Sequence, residues 1–257
     1  MGDQMKGRVA LITGAARGLG RAICSALADA GASIVATDLS GLDETVSDIE
    51  AIGTAVIARD ADVRSQSSVD AVVEAGLEEF GRLDIVVANA GISGWSRFWE
   101  MTEDEWSTML DINLSGVWRT FKAAAPAMVS QGQGGSMIAI SSVAGLKALP
   151  GQGHYVAAKH GVVGLVRTAA VELGPYSIRV NSIHPWGIDT QLAQDHSAFE
   201  AIVADNPSYA VSFGSILPEP RLADPEDIAN AVLWLASDVS RCVTGIQLPV
   251  DMGATSV

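Results

Sequence analysis

The first twenty residues of the chain already restrict it to a narrow set of folds. Arg8–Ile12 is a short apolar run, Thr13-Gly14 breaks it, and from Leu19 to Ala30 apolar residues recur at helical spacing until Gly31. A buried strand that turns through Gly14, Gly18 and Gly20 into a helix opens a parallel β-α-β layer, because glycines let the backbone turn tightly and present its N–H groups at the helix N-terminus. The rhythm then repeats. Short apolar runs at Ser33–Thr37, Ala55–Ala58, Leu83–Ala88, Ser136–Ser141, Ile178–Ile183 and Ile246–Val250 alternate with helical patterns at Leu42–Ile52, Ser67–Phe80, Thr102–Val129 and His154–Leu173, and a last one from Asp224-Pro225 to Ala236. Runs this short and continuously apolar need cover on both faces. The expectation is one α/β domain over residues 1–257, a doubly wound parallel sheet with helices on both faces and right-handed crossovers. No fixed-period repeat, low-complexity tract or Pro/Gly-rich linker divides it.

Charge narrows the choice of partner. With 48% hydrophobic and 18% charged residues, the chain is far from the disordered regime. Its formal net charge of -14 repels phosphate backbones and anionic lipid heads, so neither nucleic acid nor a membrane surface is expected as a partner. An anionic ligand must then be held by local backbone dipoles. Met1–Arg8 is too short and polar for a secretory signal, and no apolar run reaches membrane-spanning length, so the cytoplasm is the expected location. Cys24 and Cys242 each lie in an apolar stretch and read as buried, reduced thiols. The four histidines are scattered, and no metal site is expected.

The glycine turn and its surroundings point to a dinucleotide. Arg17 and Leu19 complete the turn with Gly14, Gly18 and Gly20. Asp38 ends the second strand about 20 residues beyond it, where a carboxylate accepts from both ribose hydroxyls and repels a 2′-phosphate. NAD is therefore expected over NADP, although Arg17 is a base beside the same turn. Asp62 and Val63 follow the third strand, placed for an adenine amino group and its face. Asn89, Ala90 and Gly91 end the fourth with small residues beside the groove.

A second group carries the chemistry. Tyr155 and Lys159 stand one helical turn apart, Ser142 closes the fifth strand, and Asn113 sits in the long helix after the fourth. Interconverting an alcohol and a ketone requires a proton at the oxygen. A tyrosine near pKa 10 serves as base only if that value falls by roughly 2–3 units, about 3–4 kcal/mol, which an ammonium and an oxidised nicotinamide can supply. Lys159 is placed to do so and to bind the nicotinamide ribose. Ser142 is expected to hydrogen-bond the substrate oxygen, and Asn113 to hold a water that relays protons to Lys159. Trp186–Leu222 lacks sustained periodicity and carries Pro207, Pro218, Pro220 and the aromatics Trp186, Phe199, Tyr209 and Phe213, which are expected to be exposed; it reads as a substrate lid.

These residues resemble the short-chain dehydrogenase/reductase family over nearly the whole chain. The likeness rests on T-G-A-A-R-G-L-G at Thr13–Gly20, N-A-G at Asn89–Gly91, Asn113, I-S-S-V-A-G at Ile140–Gly145, and Y-V-A-A-K at Tyr155–Lys159, thirteen residues after Ser142. It implies a single Rossmann domain with a seven-stranded sheet, NAD(P) chemistry and a homotetramer built on the long helices and the C-terminal strand. D-I-N-L-S-G-V-W at Asp111–Trp118, Gly153–Leu165 and Ile178–Pro185 are similar to actinobacterial carveol-dehydrogenase-like members. Many of those carry an insertion after the second strand, associated with tight NAD retention; here Asp38 runs through Leu39–Leu42 directly into a helix, so an exchangeable cofactor is expected. The family commonly has Pro-Gly after strand six. This chain has Pro185-Trp186, and keeps Thr190 in its place; Pro185, Ile188 and Thr190 are expected at the cofactor. Ser93, Trp95, Val143, His154 and Trp186 are the candidate substrate contacts, with Gly94 beside them, and imply a hydrophobic secondary alcohol of terpenoid or steroid-like shape. Two other readings stand beside this one. A reductase of 3-oxoacyl chains using NADPH is opposed by Asp38, and a non-catalytic NAD(H) sensor or scaffold is opposed by the complete Asn-Ser-Tyr-Lys set.

Overall fold

Along β1 (Val9–Thr13) successive side chains go to opposite sides of the sheet: Val9 and Leu11 join one buried cluster, Ala10 and Ile12 the other. The same division runs through β2 (Ser33–Asp38), β4 (Ile85–Ala88) and β5 (Gly135–Ile140), where Ile34, Ile85 and Ile138 face one way and Val35, Val86 and Met137 the other. Both layers are apolar, which is why each strand reads as a continuous run. The computed structural model describes residues 4–190, 197–220 and 222–257.

With β3 (Val56–Asp60), β6 (Ile178–Pro185) and β7 (Gln247–Val250), the strands form one seven-stranded sheet in the order β3-β2-β1-β4-β5-β6-β7. Every pairing is parallel. The helices α1 (Gly18–Asp29), α2 (Asp43–Ile52), α3 (Gln66–Phe80), α4 (Glu103–Leu110), α5 (Gly116–Gln131), α6 (Gly153–Leu173), α7 (Ser197–Asp205) and α8 (Pro225–Ala236) follow in chain order. Ile23 and Leu27 of α1 and Ile228 and Val232 of α8 cover one face; Val72 of α3, Phe121 of α5 and Val166 of α6 cover the other. Each fully buried side chain of this size contributes about 1.5–3 kcal/mol. Either layer alone therefore outweighs a typical net stability of about 5–15 kcal/mol, and neither is dispensable. The strand order reverses between β1 and β4, and the crevice at their C-terminal ends is where a ligand fits such a sheet.

Three expectations are corrected. The helical pattern expected from Thr102 to Val129 is interrupted: between α4 and α5, Asp111–Ser115 forms a π-helical turn that leaves the apolar pattern intact while re-aiming its residues. Cys24 is buried as expected, but Cys242 is exposed, because it falls in the turn between Asp238–Ser240 and β7 rather than in an element. Trp186–Leu222 is not structureless. It holds α7 and a 3-10 turn over Pro207–Phe213, and its ends are tied by a bridge from Ile188 to Ala223. The amides of Ile216 and Leu217 both donate to the Met252 carbonyl at 3.0 Å. Residues 191–196 and 221 of this segment lie outside the described residues. No helix among the described residues is long and apolar enough to cross a membrane.

Candidate active site

The glycine turn is packed to backbone contact. A Cβ on Gly20 would sit 1.9 Å from the Gly14 carbonyl oxygen, so only glycine lets α1 start this close to the end of β1. Arg17 precedes α1 and no side chain caps its first turn, whereas Ser65 caps α3 and Thr102 caps α4. With no acidic residue there either, the opening N–H groups of α1 suit an anion. This uncapped, glycine-lined terminus fits a pyrophosphate. Leu19 is buried beneath it, and Arg17 is exposed beside it. Thr190 closes in from the far side, its methyl 3.3 Å from where a Gly18 Cβ would lie.

Asp38 stands half-buried at the end of β2. Its carboxylate accepts from the Ala16 amide at 3.0 Å and the Leu39 amide at 2.7 Å, which fixes it against the turn. Only Leu39–Leu42 separate β2 from α2, so the uninterrupted passage expected from the sequence is present. Asn89 and Ala90 tie β4 to β1: both amides donate to Thr13 Oγ1, and Asn89 Nδ2 donates to the Thr13 and Gly14 carbonyls. Gly91 follows at the same edge. Asp62 is differently engaged from the expectation. Arg64 grips its carboxylate through Nε and Nη2 and holds it below the usual carboxylate range, so an adenine amino group would have to share it. Val63 packs on Gly116 at the start of α5.

Across the crevice, Ser142 follows β5 and Oγ accepts from the Ala144 amide at 3.1 Å, leaving its own proton to donate outward. It lies beside Tyr155, whose phenol it helps to ionise. Tyr155 and Lys159 share one face of α6, with Lys159 Nζ 5.5 Å from the Tyr155 ring centre. Nζ also donates to the Ile140 carbonyl at 2.9 Å, which anchors it at the end of β5. Burial raises the Tyr155 pKa above its ordinary value, partly offset by Ser142, and burial depresses that of Lys159 to about 8. The acidified tyrosine expected from the sequence is thus not preset by these residues alone. Asn113 is buried in the π-helical turn with its amide occupied: Nδ2 donates to the Met109 carbonyl at 3.1 Å and Oδ1 accepts from the Ile92 amide at 3.2 Å. The side chain fixes the corner between β4 and α4.

The candidate substrate residues fall into two groups. Ser93, Trp95 and His154 line a cavity of about 390 Å³, with Gly94, Glu105 and Met109. His154 is buried, accepts from the Tyr155 amide through Nδ1 at 2.9 Å, and has its pKa lowered chiefly by burial, so it is neutral at pH 7. Val143 and Trp186 pack in a separate small cluster with Tyr155 and Phe213. The two groups are joined by rings: Trp95 lies 5.4 Å from Phe199 and 5.8 Å from Phe213, which stands 4.9 Å from Phe199 and 6.3 Å from Trp186. Trp186, Phe199 and Phe213 are therefore half-buried rather than exposed as expected, and Tyr209 is half-buried as well. Asp205 at the end of α7 pairs with Arg97. A larger groove of about 690 Å³ between α1 and α8 contains none of Asn113, Ser142, Tyr155 or Lys159. Sequence reading passed over the ring partners of Trp95, because nothing local links residue 95 to residues 199 and 213.

The chain is similar to known proteins over nearly its whole length. A family profile described as enoyl-(acyl carrier protein) reductase matches residues 14–255. An uncharacterized NAD-dependent oxidoreductase of Mycobacterium tuberculosis is 46% identical, covering 98% of each chain. A (-)-trans-carveol dehydrogenase of Rhodococcus erythropolis is 40% identical over 98% of this chain and 99% of its own. The crystal structure of a short chain dehydrogenase from Mycobacterium paratuberculosis bound to NAD superposes with a TM-score of 0.96 at 42% identity, covering 99% of this chain and 100% of that one.

Proposed function

The chain belongs to the short-chain dehydrogenase/reductase family of oxidoreductases, and on that premise we propose that it interconverts a hydrophobic secondary alcohol and its ketone with NAD. The observation that carries this reading is the joining of Ser142, Tyr155 and Lys159 at the C-terminal edge of the sheet, beside an uncapped helix N-terminus and a carboxylate fixed at the end of β2. NAD, when bound, accepts or supplies the hydride. The turn of Gly14, Arg17, Gly18, Leu19 and Gly20 holds its pyrophosphate, Asp38 its adenosine ribose, and Asp62 and Val63 flank the adenine. Asn89, Ala90 and Gly91 line the groove, and Pro185, Ile188 and Thr190 close it. Tyr155 takes the alcohol proton, Ser142 donates to the same oxygen, Lys159 supplies the charge that lets Tyr155 ionise, and Asn113 holds the corner behind them.

Asp38 decides the cofactor. A 2′-phosphate beside a carboxylate already fixed by two backbone amides meets like-charge repulsion with no room to turn away, so NADP is disfavoured. The same argument weighs against reduction of 3-oxoacyl chains with NADPH. The aromatic bridge from Trp95 to Trp186 favours an apolar ring-shaped substrate, in line with the carveol dehydrogenase relative. Residues 186–222 act as its lid. Exposed Trp106 on α4, Trp118 on α5 and Val171 on α6 suit the assembly of a homotetramer. The test is NADH formation at 340 nm with NAD and a panel of secondary alcohols that includes carveol, cyclohexanols and hydroxysteroids. Turnover of a cyclic, apolar class is expected. Turnover of hydroxyacyl thioesters with NADP alone would replace this reading.

A further inference from the structure

The end of β6 carries a buried titratable side chain that the reaction above does not use. His184 is fully buried, and its ring lies between two serines. Nδ1 stands 2.7 Å from the Ser142 carbonyl oxygen, and Nε2 stands 2.9 Å from Ser182 Oγ. A carbonyl can only accept, so Nδ1 carries the proton; Nε2 is then an acceptor and takes the Ser182 hydroxyl proton. One neutral tautomer satisfies both contacts. Burial, aided by Lys159 and His160 and opposed by the Ser142 carbonyl and Asp251, depresses the imidazole pKa to about 4, so the ring is neutral at neutral pH and Nε2 stays an acceptor for Ser182.

The neighbouring turn is shaped to admit this ring. Gly145 closes the turn that begins at Ser142, and a Cβ there would lie 3.1 Å from His184 Cε1, 2.8 Å from Ser141 Oγ and 2.8 Å from the Lys159 carbonyl oxygen. Glycine thus allows β6, α6 and the Ser142 turn to meet around the imidazole. Ser142 is held at both ends of its residue: its carbonyl accepts from the Gly145 amide at 2.8 Å and from His184, which adds a second donor to that oxygen, and its Oγ accepts from the Ala144 amide. With both fixed, the Ser142 hydroxyl keeps its proton free to turn toward the side of Tyr155.

We propose that His184 is a positioning residue for Ser142, aiming its hydroxyl at the substrate oxygen by donating Nδ1–H to its carbonyl. This rests on the reading of Ser142 as the donor to that oxygen. The substitutions that test it separate the two ring nitrogens, since an Asn amide stands near the place of Nδ1 and a Gln amide near that of Nε2. With the alcohol turned over fastest in the panel, His184→Phe and His184→Gln are expected to lower kcat about tenfold, the loss of one buried hydrogen bond. His184→Asn should recover most of it, with the NADH Kd of all three within about twofold of the parent protein, because none touches the glycine turn. In a Ser142→Ala background His184→Phe should cost nothing further. Unchanged kcat in His184→Phe, equal losses in the Asn and Gln variants, or full additivity with Ser142→Ala would each overturn the proposal. If Ser142→Ala alone is as active as the parent, the reading of Ser142 fails and the proposal with it. Imidazole 15N spectra of the unsubstituted protein provide a test that needs no variant to fold. The proton is expected on Nδ1 at neutral pH, and an Nε2–H tautomer would refute it.

Discussion

The two sides of the crevice are built by different means. On the side of β1, β2 and β4 the surface is mostly backbone: a glycine turn, the uncapped start of α1, and Asn89 and Thr13 locking two strand ends together. These features come from segments that are strand-adjacent in the sheet, and each can be named from a few consecutive residues. On the side of β5 and β6 the surface is mostly side chains, and its apolar wall is assembled from residues 95, 186, 199 and 213. Backbone geometry tolerates changes in neighbouring side chains, whereas a wall of rings changes shape with each substitution. The first side suits an invariant ligand such as a dinucleotide, and the second suits a substrate that differs between relatives.

Tyr155 and Lys159 stand between these sides, and changing them should stop chemistry while leaving the glycine turn and the wall of rings in place. Tyr155→Phe is expected to lower kcat by about a thousandfold, within the range for a lost general acid–base group, and to leave the NADH Kd unchanged by fluorescence titration. Activity surviving this change would mean that the proton goes elsewhere. Lys159→Met should cost about a hundredfold in kcat and yet raise stability. Burial depresses the Lys159 pKa from 10.5 to about 8, so the unfolded chain holds this proton more tightly than the folded one. The contribution of Lys159 to the stability of the parent protein should accordingly rise as the pH climbs from about 8 to 10.5, and level off above. The Met variant removes the buried charge, and its Tm is expected to exceed that of the parent at pH 7 by a few degrees, the gain fading toward pH 10.5. A lower Tm at pH 7 would show that the bond from Nζ to the Ile140 carbonyl outweighs the cost of burying the ammonium.

Asp38 is the exception on the backbone side, a single side chain on which cofactor choice depends. Asp38→Ser is expected to shift the ratio of NADP to NAD efficiency by about a hundredfold toward NADP, roughly 3 kcal/mol, with the relative rates on different alcohols unchanged. If the alcohol preference moved as well, the two sides would not be independent.

Most of the fold was legible because the strands are buried on both faces, and their apolar runs could be read without knowing what covers them. The glycine turn, Asp38 and the Tyr155-Lys159 pair were legible for a related reason, since each is a local spacing on one element. What escaped was set by contacts across the chain or by backbone register. The π-helical turn at Asp111–Ser115 inserts into a helix without altering its apolar pattern, so nothing in the sequence marked it or showed that Asn113 would have its amide occupied. Cys242 looked buried because apolar residues flank it, but the chain turns there. α7 was missed because its packing partner, Trp95, lies more than a hundred residues earlier. The contact of His184 with the Ser142 carbonyl joins positions forty-two residues apart.

The smallest expected effect is the one that bears most directly on the wall of rings. Phe213 touches Trp95, Phe199 and Trp186, so it is the ring through which the two substrate-facing groups communicate. It is only half-buried, and its removal leaves a gap open to solvent rather than a sealed cavity, so the cost to stability should be well under that of a core deletion. What it should lose is apolar contact with the substrate and the hold of the lid over it. Phe213→Ala is expected to raise KM for cyclic alcohols about tenfold, the worth of an aromatic contact of about 1.5 kcal/mol, with the NADH Kd unchanged. For a small open-chain alcohol, which cannot reach the wall, KM should stay within about twofold. A uniform rise for large and small alcohols would mean that Phe213 holds the lid without shaping the pocket. A rise in NADH Kd would break the comparison itself, because the lid would then serve the cofactor through Thr190 and Ile188 as much as it serves the substrate.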